Sequence, residues 1–363
     1  MASVIDYCTE GPRIFVTGWK RRLFPKRYEG NAEKICTQIV EDCWNGRYFQ
    51  TSTGNFAEFW TRDFGMCVKS LLALEYEPEV HKTLRYALNR FRKYGRITTT
   101  ITPSGKPYDF PTVAVDSVPW LIHSIKISRF PYHSYKAFLN KEILKFVEKF
   151  INQQTGLVTP DEHFSSVKDF AIRKSSCYDN CLAGLLAKDL KSMKLVNPFK
   201  RFDYPDLLTR HFWNGSFFYD DLSKKCYVAG DANVFPFLLG LVKDTNDKEM
   251  MTSAVKSIQK AGLDSPFPLK YTASRKDIHF IWQEIFLRNY ESNALWTNLG
   301  PLYVKLVKSI DREKAREYQE KYTQMIEKHG NFLEVFTLAG KPYRTPFYYC
   351  DSGMVWAANY VTL

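Results

Sequence analysis

The sequence predicts an all-α fold: an (α/α)6 toroid of six helical hairpins, with small β excursions in the loops at its mouth. Three observations predict it. A short polar turn carrying a carboxylate recurs six times, and each turn opens into an apolar, aromatic-rich run. The markers Asp63, Asp116, Asp179, Asp231, Glu291 and Asp351 lie 53, 63, 52, 60 and 60 residues apart. A period of about 58 residues holds two helices and two connections, and six such units fill the 363 residues. The chain is therefore expected to be a single domain over 1–363.

The elements follow in order. Residues 1–28 are aromatic and basic and read as an irregular lead-in. A helix is expected at 31–45, capped by Asn31 and carrying Ile35, Ile39, Val40 and Cys43 at helical spacing. The loop 46–60 leads to the first inner helix, 63–75. Its outer partner is 79–93, where Val80, Leu84, Ala87, Leu88 and Phe91 form one face. Residues 95–112 read as a β-type excursion around the turn Pro103-Ser104-Gly105-Lys106, positioned to cover the mouth. The alternation continues with inner helices at 116–128, 179–193, 231–243, 293–310 and 351–362. The outer helices are 136–152, 203–213, 247–262 and 311–329. The stretches 214–230 and 263–285 are expected as mouth loops, where a rigid scaffold places function.

For any one acidic marker the ordinary reading is an N-cap, because Asp accepts a bond from an unpaired backbone N–H and the helix dipole favours negative charge. A closed ring adds to this. Its inner helices run the same way, so six acidic turns meet at one mouth. Aromatic residues share those turns. Carboxylates accept from sugar hydroxyls, and aromatic faces pack on the C–H face of a sugar ring. The candidate sugar-binding residues are Trp60, Arg62, Asp116, Trp120, Tyr178, Asp179, Asp231, Asn233, Glu291, Trp296 and Tyr349.

Hydrolysis of a glycosidic bond with inversion needs two carboxyls, one protonated at the leaving oxygen and one activating water. Asp63 suits the acid. It follows Trp60-Thr61-Arg62 at an inner-helix start, where burial and like charge raise a carboxyl pKa. Glu334 suits the base. It lies in Asn331-Phe332-Leu333-Glu334-Val335-Phe336, an alternating strand-like stretch before the turn at Gly340.

Composition sets the remaining bounds. Apolar residues make up 45% and aromatics 16%, enough for a large core. The formal charge of +12 comes from basic residues scattered over outer helices and loops, with no nucleic-acid motif. No apolar run approaches the ~18 residues of a membrane span. Neither a nucleic acid nor a membrane is expected as a partner; a small carbohydrate is. Eight cysteines are scattered with no CxxC pair, and no secretory signal is visible. Buried free thiols in the cytoplasm are the expected reading. The seven His avoid the acidic turns and lack zinc spacing, so no metal or other cofactor is expected.

The pieces Phe59-Trp60-Thr61-Arg62-Asp63-Phe64, Val115-Asp116-Ser117-Val118-Pro119-Trp120 and Phe332-Leu333-Glu334-Val335-Phe336 occur in an order that resembles the six-hairpin glycosidases. The alkaline/neutral invertases and the amylo-1,6-glucosidase domain of glycogen-debranching enzymes are the families most similar. The resemblance implies an inverting hydrolase of an α-glucoside, either an oligosaccharide or a sucrose-like disaccharide. It implies Asp63 as acid, Glu334 as base and Asp116 at the sugar being cleaved. Leu333 stands where those families usually carry Pro, and Val335-Phe336 replaces Tyr-Tyr. Two alternatives stay open: a sugar-binding protein without turnover, and another enzyme of this barrel such as a lyase or phosphorylase. A phosphorylase would draw on Arg173, Lys174 or Arg344.

Overall fold

The computed structural model describes residues 4–242 and 247–363. The expected end of an inner helix at residue 243 and the side chain of Cys8 lie outside the described residues. In chain order the first half contains α1 (Val4–Leu23), α2 (Ala32–Cys43), β1 (Phe59–Trp60), α3 (Thr61–Ala73), α4 (Glu77–Tyr94), β2 (Thr100–Ile101), β3 (Pro107–Tyr108), α5 (Ser117–Ile127), α6 (Lys136–Phe150), β4 (Ala171–Ile172) and α7 (Cys177–Leu190). The second half contains α8 (Tyr204–Phe212), α9 (Gly230–Leu238), α10 (Asp247–Lys260), β5 (His279–Phe280), β6 (Leu295–Trp296), α11 (Gly300–Lys308), α12 (Arg312–His329), β7 (Val335–Phe336) and α13 (Ala357–Val361).

The inner helices α3, α5, α7, α9, α11 and α13 each touch the next, and α13 returns to α3, so the ring is closed. The outer helices α4, α6, α8, α10 and α12 pack on the inner helix before them. The first outer helix, α2, packs on the last inner one, α13. The fold is the (α/α)6 toroid that the period predicts. Burial follows from position. Helix α7 is buried on nearly every side. Helix α4 buries Val80, Thr83, Leu84, Ala87, Leu88 and Phe91 along one stripe. Full burial of such an aliphatic or aromatic side chain contributes about 1.5–3 kcal/mol.

None of the six acidic markers makes an N-cap bond. Ser176 caps α7, whereas α3, α5 and α9 have no side-chain cap. True caps sit mostly on outer helices: Asn31 on α2, Asp203 on α8 and Asp311 on α12. A second repeat signature runs through the turns after outer helices. Asn45, Asn152 and Asn214 each accept two backbone N–H bonds, at 2.9–3.1 Å. Each turn is closed by a bridge, Trp44 to Phe49, Ile151 to Val158 and Trp213 to Phe218. The side-chain oxygen substitutes for the carbonyls that a longer helix would have offered.

Several expectations are corrected. Residues 4–23 form a helix rather than an irregular lead-in. Gly11, Pro12 and Gly18 weaken its local signal, but tertiary contacts hold it. Arg13 donates to Glu58 and to the Asn55 carbonyl, and Arg21 donates to the Thr53 carbonyl. Helix α11 starts at Gly300, not 293, because Leu295–Trp296 pairs as a strand with Val335–Phe336. Helix α13 is only five residues long. The described cysteines are free, and all but Cys226 are buried.

Inner-helix packing depends on a small residue at the α3–α5 contact. A Cβ added at Gly65 would lie 2.7 Å from Trp120 Cβ and 3.0 Å from its ring. Gly65→Ala is expected to lower stability by about 1–3 kcal/mol through overpacking, visible as a fall in Tm.

Candidate active site

The first carboxyl is placed by a strand-to-helix turn. β1 pairs antiparallel with β2, and β2 with β3, so the 95–112 excursion braces the turn. Thr61 N–H donates to the Thr99 carbonyl at 2.9 Å, and its hydroxyl to the Thr98 carbonyl at 2.9 Å. Asp63 then lies in the first turn of α3, whose N-cap is Trp60 and has no side-chain cap bond. It accepts from the Trp356 indole N–H at 3.0 Å, and Arg62 Nε stands 3.8 Å away. Burial pushes its pKa up to about 6, against the lowering effect of Arg62.

The second carboxyl comes from the sixth repeat. Glu334 N–H donates to the Asp351 carbonyl at 3.0 Å, and the Glu334 carbonyl accepts from Thr297 N–H at 3.1 Å. Three donors meet the Glu334 carboxylate: the Tyr290 hydroxyl, the Tyr348 hydroxyl at 2.6 Å and Asp351 N–H at 2.9 Å. Burial and the nearby Asp351 still push it up to about 7. The tyrosines are themselves pushed well above their ordinary range by burial and by Glu334, so they remain donors.

Both carboxyls line one cavity of about 250 Å³, with Trp60, Arg62, Glu291 and Trp296. Its other walls are aromatic, including Tyr108, Phe110, Phe170 and Trp356, and α1 contributes Glu10, Ile14 and Phe15. Arg62 is the cation of this lining. Its guanidinium meets both oxygens of Asp169 at 3.3 Å and Asp116 at 3.4 Å.

Asp169 is the residue that sequence reasoning missed. It sits in a mouth loop, outside any helix start. A signal was present: Lys168-Asp169-Phe170 repeats the pattern Arg62-Asp63-Phe64. Glu291 orients it from behind, accepting from Asp169 N–H and Phe170 N–H, both at 2.7 Å. Burial and Asp169 push the Glu291 carboxyl up.

The remaining sequence-predicted residues are not among those lining the cavity. Asp116 lies a layer behind Arg62, with Tyr178 OH at 3.3 Å, and Trp120 donates to Tyr178 at 3.0 Å. Asp231 is held in a buried charge cluster by Lys168 at 3.0 Å and Arg173 at 3.2 Å, and Asp220 completes it. Asp179 packs beside that cluster in the first turn of α7, where burial pushes its carboxyl up against the lowering effect of Arg173. Asn233 ties Phe218 to the ring through both its backbone N–H, at 2.8 Å, and its carbonyl, at 3.0 Å. Asp351 accepts from Asn55 and Phe56 N–H groups and from Ser52. Tyr349 lines a separate small groove against α1. Four of the acidic markers thus brace the scaffold, and Asp63 and Glu291 reach the cavity.

Fold and cavity together define a six-hairpin toroid with an acidic, aromatic-walled pocket at one mouth. Solved structures with a similar fold cover more than nine-tenths of this chain. One is a glycosidase, with a TM-score of 0.66 at 11% identity, covering 91% of this chain and 94% of that one. Another is a GH63 mannosylglycerate hydrolase from Thermus thermophilus in complex with glucose, with a TM-score of 0.58 at 10% identity over 91% and 98% of the two chains. A third is a rhamnosidase from Klebsiella oxytoca with rhamnose bound, with a TM-score of 0.62 at 9% identity over 93% and 65%. No protein-family model matches the chain, and no curated protein does. At these identities the likeness shows a shared fold.

Proposed function

We propose that this protein is an inverting glycoside hydrolase acting on a short α-glucoside, with Asp63 as general acid and Glu334 as general base. One observation carries the reading: two buried carboxyls, both pushed up in pKa and each held by its own donors, share one aromatic-walled cavity. The short motifs add a likeness to the alkaline/neutral invertases and the amylo-1,6-glucosidases. The cavity lies below the ~300–1,000 Å³ of drug-sized sites, which suits one or two sugar rings.

Water rather than phosphate is the favoured co-substrate. The Arg62 charge is already met by Asp63, Asp116 and Asp169. Arg173 is tied to Asp220 and Asp231. Arg344 and Lys174 are not among the lining residues. The test follows the product of α-glucosides, sucrose and branched dextrins by NMR, with and without phosphate. Release of the β-anomer without phosphate supports the reading. Retention of configuration or phosphate dependence overturns it, and binding without turnover assigns a sugar-binding protein.

The productive form keeps the proton on Asp63 and the charge on Glu334. Activity therefore rises as the first proton leaves, near pH 6, and falls as the second leaves, near pH 7. Tyr290→Phe removes a donor to the charged base, worth about one pKa unit or more. The alkaline limb is expected to move up by about that amount while kcat falls about tenfold. A pH–rate profile checks both shifts, and a limb that stays in place removes Tyr290 from this role.

A further inference from the structure

Five of the thirteen exposed large hydrophobic side chains among the described residues form one connected band. Phe15 and Trp19 on α1 meet Phe347 along a shallow groove. Phe347 packs on Phe286 at 5.1 Å between ring centres, and Phe286 on Trp282 at 6.0 Å. These are not half-hidden rings: Trp282 is 72% exposed and Phe347 56%. Phe15 and Phe347 also line the cavity that holds Asp63 and Glu334, so the apolar band skirts its mouth.

Basic residues flank the rings along the chain. Lys20 and Arg22 end α1, and the Arg22 guanidinium lies 4.9 Å from the centre of the Trp19 ring. Arg288 follows the Phe286 loop and Arg344 precedes the Phe347 loop. All four cations are exposed. Protruding aromatic rings among cations are the pattern of a surface that enters a lipid headgroup layer. Each ring gains from leaving water, and each cation from an anionic surface. No described helix is long and apolar enough to cross a membrane, so attachment is to the surface. A second copy of the chain is a poorer occupant. Two-fold pairing sets the same patch against itself and brings like charges together.

We propose that the face around the cavity mouth docks on an anionic lipid bilayer, with Phe15, Trp19, Trp282, Phe286 and Phe347 inserted among the headgroups. The expectation of no membrane partner came from the lack of an apolar span, which does not bear on surface attachment. Docking stands apart from the catalytic reading, since none of the four cations or Trp282 lines the cavity.

The test is co-sedimentation of the full-length protein with sucrose-loaded vesicles. One set is pure phosphatidylcholine, and the other is equal parts phosphatidylcholine and phosphatidylglycerol. Binding is expected to the mixed vesicles, at least tenfold weaker to the neutral ones, and to weaken as salt is raised. Trp282→Ser is expected to lower the partition about tenfold, and so is the pair Lys20→Glu with Arg22→Glu. Asp63→Asn protein binds as wild type does. Equal partition into both vesicle types overturns the proposal, as does no binding to either. So does a dimer in sedimentation velocity that Trp282→Ser dissociates, because the patch would then be a protein interface.

Discussion

Asp63→Asn is expected to lower kcat on a glycoside with a sugar leaving group by about 10²–10⁴-fold, the usual contribution of general acid catalysis. The same variant should keep most of its rate on an α-glucosyl fluoride. The physical reason is the leaving group. An alkoxide cannot depart without a proton, whereas fluoride needs little help. The substitution is mild for the fold. The Asn carbonyl oxygen still accepts from the Trp356 indole N–H, and Arg62 keeps Asp116 and Asp169 as partners. Comparing the two substrates on one preparation separates loss of the acid from loss of structure. An equal fall on both would mean that Asp63 is not the acid.

Glu334→Gln is expected to lower kcat by at least about 10²–10⁴-fold whatever the leaving group, because activation of water is required in every case. KM should change little. The variant also carries a defined structural cost. The carboxylate accepts from three donors, and an amide nitrogen cannot accept any of them. The Gln oxygen can keep Tyr348 and the fixed Asp351 N–H. The amide NH2 then faces Tyr290, whose hydroxyl can turn to accept. Folding should therefore survive, as a thermal melt can verify. Retained turnover on the fluoride, with loss only on poor leaving groups, would exchange the roles of the two carboxyls.

The ring was legible because it repeats. A period is a property of the chain, and the inner helices announce themselves by long apolar runs, as at Cys181 to Ala187. Local pattern singled out Asp63 and Glu334, and both line one cavity. The fates of Asp231 and Asp351 were not legible. Both sit in turns that look like that of Asp63, but their partners arrive from elsewhere: Lys168 and Arg173 from a loop of another repeat, and the Asn55 and Phe56 amides from the first. Local sequence carries no record of such arrivals. Helix α1 was hidden for the same reason. Its glycines and proline read as irregular, and contacts such as Arg13 reaching Glu58 stabilise the helix from outside.

Closure of the ring also sets when the chemistry can exist. Helix α2 rests on α13, and Asp351 clasps the loop at Asn55. Asp63 belongs to the opening repeat, while its indole partner and the opposing Glu334 belong to the closing one. Until residues 331–361 dock, Asp63 lacks Trp356 and the cavity lacks Glu334. If the proposed roles hold, a chain that has folded five of its six hairpins is expected to be inactive, and the latch that completes the circle is also the arming step.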